Sequence, residues 1–260
     1  MHIHYIAYNN FHNEPSFTFE RKQGLSDYLL VYFKSPCFLV VDNKSYTLSE
    51  PSVVLFSPYT AFKYTALSSD YYDDYLHFAP RDTEYFRSNL HFPMNFPIKI
   101  KNNTAISPLL KTISEEYHKN TDFLLSIQFH HIMLLMYRIA ESWQSYNKAN
   151  SDVPYFNQLA KLRSQIQKNP SHRWHIQDMA SQLMLSPAYF QVLYKKAFGV
   201  TCLSDVIHAK INSAKELLLS TNMTVAAIAE ELGYNHVYHF IRQFKKNTGM
   251  TPGNFRKTLR

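Results

Sequence analysis

Apolar side chains follow two different periods along this chain. In the first hundred residues they come in short runs rich in β-branched and aromatic side chains: 28–33 (YLLVYF), 37–41 (CFLVV), 53–56 (VVLF) and 75–78 (YLHF). Turn-like DNKS and SEPS segments lie between them. Runs of this length at this spacing predict strands of an antiparallel sandwich or barrel. From about Thr104 the period becomes helical. Ile106, Leu109, Leu110, Ile113 and Tyr117 fall on one face, and a second helix is predicted from about Phe123 to Trp143. Its apolar stripe can serve as a dimer face or as a cover for the strands. Residues 147–154 (NKANSDVP) read as a linker.

Beyond the linker the pattern repeats. FQVLYKKAFGVT (190–201) and FIRQFKKNTGMT (240–251) agree at an offset of fifty. Phe190 pairs with Phe240, Tyr194 with Phe244, Lys195–Lys196 with Lys245–Lys246, and Gly199 with Gly249. Upstream, Ile176, Met179 and Ala180 match Val225, Ile228 and Ala229 at an offset one shorter, so the second copy has a turn one residue longer. Each copy predicts two short helices. Ser186 is an N-cap with Pro187 at the first helical position, Thr224 is a second cap, and Gly233 suits a helix C-terminus that needs positive φ. Ala180 and Ala229 are the small residues that let two helices cross closely, as in a helix-turn-helix. Between the copies, Cys202 to Ser220 holds no Pro or Gly and places Ile207, Ile211, Ala214 and Leu218 on one face. It predicts one continuous helix that fixes the distance between the units.

Charge sharpens this picture. Residues 1–150 carry 13 Lys/Arg and 14 Asp/Glu; residues 151–260 carry 14 and 6. The net +7 therefore belongs to the repeated part, as expected of a module that meets a polyanion such as nucleic acid. Two cysteines, Cys37 and Cys202, exclude a disulfide scaffold and a Cys-based zinc site, and suggest a reducing compartment. The start, MHIHYIAYNNFHNEP, lacks a basic and apolar leader, and the apolar stretch 132–140 is too short for a membrane span. A cytoplasmic protein is expected.

The second half resembles the C-terminal DNA-binding domain of the AraC/XylS family of bacterial transcription regulators. The likeness covers about 155–260. It rests on Ala180, Ser186, Gly199, Ala214, Leu217–Leu218, Ile228–Ala229, Gly233–Tyr234, Phe240, Phe244–Lys245, Gly249, Pro252 and Phe255–Arg256. Tyr234 stands where Phe is usual, Lys210 where Arg is common, and Met184 in place of the usual Gly of the first turn. The resemblance implies two recognition helices in successive major grooves, about 34 Å apart. A duplex bent to meet both costs roughly 1–6 kcal/mol. It places Ala188, Gln191 and Val192 of the first helix at bases. Gln191 can pair with adenine, whereas Ala188 and Val192 offer only apolar contact. The outward positions of the second are Val237, Tyr238, His239, Ile241 and Arg242, with Arg242 suited to guanine. The second unit is thus expected to carry more of the sequence readout. Lys195, Lys196, Lys245 and Lys246 are expected at phosphates, Arg256 at backbone, and Trp174 packed at the domain entry.

The order of β domain, two helices, linker and paired helix-turn-helix is similar to the arabinose-sensing branch of that family. The expected class is α+β: a cupin-like antiparallel barrel (1–103), a helical dimerisation segment (104–146), a linker (147–154) and an all-α DNA-binding domain (155–260). By resemblance Lys34, Tyr64, Asp73 and Tyr75 line an effector pocket, with a carbohydrate as the first reading. Tyr75 can stack on a sugar face, Asp73 accept and Lys34 donate hydrogen bonds. The implied partners are double-stranded DNA, the effector, RNA polymerase and a second copy of the chain. No cofactor and no membrane are expected. An N-terminal half that only dimerises or binds a protein is the alternative. Catalysis is not expected: His2–His4 lacks the following cupin-enzyme pattern, and there is no phosphate loop, nucleophile elbow or paired catalytic carboxylates. Asp73 and Asp74 are strand neighbours and should face opposite sides.

Overall fold

The computed structural model describes residues 1–42, 44–100, 105–119, 121–149 and 153–259, in two compact units, Met1–Tyr146 and Asn147–Arg260. Residues 150–152, inside the expected linker, lie outside the described residues.

The first unit runs β1 (His2–His12), β2 (Thr18–Arg21), β3 (Tyr28–Phe33), β4 (Cys37–Val41), β5 (Lys44–Leu48), β6 (Ser52–Phe56), β7 (Phe62–Ala66), β8 (Tyr71–Ala79), α1 (Thr83–Ser88), β9 (Ile98–Lys99), α2 (Ile106–Tyr117) and α3 (Leu124–Ala149). The strands pair antiparallel into a five-stranded sheet, β1-β8-β3-β6-β9, and a four-stranded one, β2-β7-β4-β5. They enclose one core, with Leu29, Val31, Phe33 and Phe56 of the first sheet and Leu39, Val41, Phe62 and Tyr64 of the second. The expected antiparallel β domain is present, as two open sheets rather than a closed ring. All six residues of β3 are buried because its outer face is covered too. There the Tyr28 ring lies 5.0 Å from Phe86 of α1, and the Arg87 Nε donates to the Tyr28 hydroxyl at 2.9 Å.

Strand β1 carries no regular alternation because two irregularities interrupt its register with β8, between Ile3 and Tyr5 and between Ala7 and Asn10. Apart from buried Ile3, its residues are half-buried or exposed. Helix α2 buries Ile106, Leu110 and Ile113, as its periodicity predicts. Helix α3 starts where expected and runs six residues further. Ile132, Leu135, Met136, Ile139 and Trp143 are buried inside this unit, with Trp143 against Phe96 at 5.8 Å. The stripe is thus buried within the chain's own first unit, while Leu134 and Tyr137 stay exposed.

The second unit is all helical: α4 (Phe156–Lys168), α5 (Ile176–Gln182), α6 (Pro187–Phe198), α7 (Cys202–Ser220), α8 (Val225–Glu231), α9 (Val237–Thr248) and α10 (Pro252–Leu259). The Ser186 Oγ accepts from the Tyr189 N–H at 3.3 Å, and the Thr224 hydroxyl from the Ala227 N–H at 3.1 Å. Gly199 and Gly249 close α6 and α9 with φ of 70° and 80°.

The two turns share one hydrogen bond, from Leu185 N–H to the Ala180 carbonyl at 3.0 Å and from Tyr234 N–H to the Ala229 carbonyl at 2.9 Å. They differ at the left-handed residue. Gly233 holds it at φ +70°, and a Cβ there would lie 3.1 Å from the Ser171 carbonyl oxygen. Met184 holds it at φ +54° with its side chain almost wholly in solvent. A left-handed conformation costs a residue with a side chain about 1–2 kcal/mol, whereas glycine pays about 0.4–1 kcal/mol through the unfolded chain. Met184→Gly is therefore expected to stabilise this unit by about 0.5–1 kcal/mol, read as a higher urea midpoint at unchanged slope.

Candidate functional site

Each helix-turn-helix is fastened to α7 by a buried charge. On the first, Asp205 near the start of α7 lies 2.8 Å from the Arg163 Nε of α4, with both side chains 5% exposed. The Tyr194 hydroxyl, on α6 itself, donates at 3.0 Å to Asp205 Oδ2, the same oxygen that faces the Arg163 Nε. Burial, with Asp205 adding to it, pushes the Tyr194 phenol well above its ordinary range, so it stays a donor. On the second, the buried Lys210 ammonium donates to the Leu232 carbonyl at 2.7 Å, at the C-terminal end of α8. The same ammonium lies 5.2 Å from the centre of the Tyr234 ring. Burial first, and Arg173 second, lower the Lys210 pKa. Arg256 closes the far end of α7: its Nε donates to the Leu218 carbonyl at 2.8 Å and its Nη2 to the Met223 carbonyl at 2.6 Å. Trp174 is half-buried and donates Nε1–H to the Asn169 carbonyl at 3.0 Å.

The linker helix is unbroken over 19 residues, about 28 Å at 1.5 Å per residue. The recognition helices turn Phe190, Leu193, Tyr194 and Phe198, and Phe240 and Phe244, into the core. What remains outside is the set expected at DNA. Ala188, Gln191, Val192, Lys195 and Lys196 are exposed on α6; Tyr238, His239, Arg242, Lys245 and Lys246 are exposed on α9, with Val237 and Ile241 half-buried. The lysine pairs sit in the last turn of each helix, where positive charge also suits the helix dipole. The second turn is one residue longer, as the offset predicts, and His236 stands at the α9 N-cap without a side-chain cap bond.

A cavity of about 370 Å³ opens in the first unit. Tyr64 and Tyr75 line it, and Asp73 lies behind Tyr64: the Tyr64 hydroxyl donates to Asp73 Oδ2 at 3.2 Å, and the Asn10 amide to Asp73 Oδ1 at 2.9 Å. Burial raises the Asp73 pKa, and these donors hold it back. Lys34 is on a different face. It lies 2.6 Å from Asp74 Oδ1, and the same carboxylate accepts from the Asn9 N–H at 2.6 Å and from Ser107 of α2 at 3.5 Å. Asp73 and Asp74 thus point to opposite sides of β8, as strand neighbours must. Of the four residues expected at an effector, the structure brings Tyr64, Asp73 and Tyr75 together and sets Lys34 apart. The lining also contains Asn10 and His12 of β1, Phe19 and Arg21 of β2, and Phe17, which stacks on His12 at 3.5 Å. Sequence reasoning missed these because it placed no strand there. The signal available was the aromatic and polar mixture of residues 5–21.

Among the described residues no group of three or more His, Cys, Asp and Glu is placed to hold a metal ion, and no helix is long and apolar enough to cross a membrane.

Comparison with known proteins places the repeat. A family model described as a helix-turn-helix domain matches residues 179–258. The uncharacterized HTH-type transcriptional regulator YfiF of Bacillus subtilis is 37% identical over 98 residues, covering 38% of this chain and 31% of that one. The regulatory protein PocR of Salmonella typhimurium is 30% identical over 107 residues, covering 41% and 35%. This chain therefore spans about a third of the length of these two curated relatives. Among solved structures, the C-terminal domain of AraT, a response regulator from Geobacillus stearothermophilus, is 31% identical, covering 42% of this chain and 88% of that one, at a TM-score of 0.37. Residues 179–258 thus carry a helix-turn-helix domain similar to those of bacterial transcription regulators, doubled here on one linker helix.

Proposed function

We propose that this chain is a ligand-responsive, sequence-specific DNA-binding regulator, an activator of carbohydrate-utilisation genes that works as a homodimer with RNA polymerase. The observation that carries the DNA-binding reading is the pair of exposed, basic-ended recognition helices held on one rod by buried charges. Gln191, Tyr238, His239 and Arg242, with Ala188, Val192 and Val237 beside them, meet base edges, and the four lysines meet phosphates. Arg242 reads guanine through its bidentate fork. Arg242→Ala is expected to cost about 1–3 kcal/mol at one base pair and to relax preference there. Gel-shift titration against all four bases at that position checks it; an equal loss on every sequence places Arg242 at phosphate.

The cavity of the first unit takes the effector. Tyr75 and Phe17 offer ring faces, Asn10 and Tyr64 offer hydrogen bonds backed by Asp73, and Arg21 offers positive charge, a set suited to a sugar or sugar acid. Ligand binding acts on DNA only as far as the two arrangements of the protein differ in effector affinity. Duplexes enriched from a random pool, with and without sugars and uronic acids, test both halves. A thermal shift of the full chain identifies the effector, since a ligand at 100 times its Kd adds about 2.7 kcal/mol. No shift with any sugar or sugar acid favours a regulator whose N-terminal unit only dimerises or binds a protein.

A further inference from the structure

The two recognition helices occupy matching places in the repeat but present opposite chemistry. At the offset of fifty, Val192 stands where Arg242 stands, Ala188 where Tyr238 does, and Gln191 where Ile241 does. Val192 is 62% exposed, and Ala188, one turn before it on the same face, is exposed too. A branched apolar side chain on the outer face of a helix weakens the helix slightly and gains nothing in water. Neither Val192 nor Ala188 has a donor or acceptor beyond its backbone. In a major groove, the base-edge group that meets such carbon atoms favourably is the C5-methyl of thymine. Gln191 projects beside them, and its amide can pair with the N6 and N7 of adenine.

We propose that α6 reads thymine methyl groups through Val192 and Ala188, so that each monomer binds two chemically unlike half-sites: a methyl-bearing A·T element under α6 and a guanine-bearing element under α9. This rests on the DNA-binding function proposed above. It assigns to the first unit a specificity of its own, made by desolvation of a hydrocarbon patch rather than by hydrogen bonds. Arg242 selects for acceptor atoms; Val192, at the matched position, selects for their replacement by a methyl.

The test uses the full chain and a duplex enriched from a random pool. Thymine is replaced by uracil in one half-site at a time, which removes the methyl and keeps every hydrogen-bonding atom. Substitution in the α6 half-site should weaken binding about four-fold for each methyl contacted, and by more than substitution in the α9 half-site, where Val237 and Ile241 are half-buried. Val192→Ala should reduce the uracil effect and leave the share made by Ala188, and the half-site where it falls is the one under α6. Val192→Arg should move the preference there towards guanine. Val192 is exposed, so these variants should melt as the parent does. Equal affinity for thymine and uracil duplexes in both half-sites, or a uracil effect unchanged in Val192→Ala, overturns the assignment. Failure to enrich any duplex instead overturns the DNA-binding reading on which it rests.

Discussion

Asp205→Ala should unfold the C-terminal unit under conditions where the parent is stable, with a loss of about 3–5 kcal/mol. The reason is the group left behind. The Arg163 guanidinium is 5% exposed, stacked 4.7 Å from the centre of the Phe198 ring, and keeps its charge at every accessible pH. Without Asp205 it faces a low-dielectric interior, and Tyr194 loses its acceptor at the same time. A domain of this size has a total stability of about 5–15 kcal/mol, so the loss is a large share of it. Urea denaturation followed by circular dichroism measures it. Asp205→Asn is the informative companion: it can still accept from Tyr194 but removes the counter-charge, and should fall between parent and Ala variant. A loss under about 1 kcal/mol for Asp205→Ala would show that the pair is not what fastens α6 to the linker helix.

Phe244→Ala should cost about 3–5 kcal/mol by a different route. Phe244 is the repeat partner of Tyr194, yet it solves the same packing problem without polar atoms. Its ring is fully buried, 5.7 Å from Phe240 and 5.4 Å from Phe255, which carries α10 onto the second unit. Removal leaves a void bordered by two rigid rings that cannot collapse inward. The expected signature is a lower urea midpoint together with loss of binding to the α9 half-site. Phe244→Leu, which refills most of the volume, should recover the larger part of both.

How much of this was legible in the sequence follows from where each residue's partners lie. The helices of the second unit are legible because their determinants are local: apolar positions three and four apart, Ser186 and Thr224 as caps, glycines at C-termini. The buried strands β3, β4, β6 and β8 announce themselves as apolar runs. Strand β1 does not, because two irregularities break its alternation and its outer positions are polar; β2 is short and mostly exposed. With them went much of the cavity wall, Tyr5, Asn10 and His12 of β1 and Phe19 and Arg21 of β2. The charge pair of Arg163 and Asp205 spans 42 positions and follows no local period. Lys210 showed only as a departure from the family pattern, although its role at the end of α8 is structural. Lys34 was placed at the effector by resemblance; its nearest charge, Asp74, belongs to the other face of β8 and directs it there.

The unbroken run of α7 has a consequence for the genome that such a protein searches. A coil between the units would let each reader settle independently, and sites with different gaps would be occupied alike. A rod that holds both units through the buried charges of Asp205 and Lys210 instead imposes a gear ratio. One inserted base pair turns the second element about 35° around the duplex axis, and nothing in the protein can follow that rotation. Occupancy should therefore rise and fall with helical phase, and near-copies of the operator that are out of step by a few base pairs should stay silent.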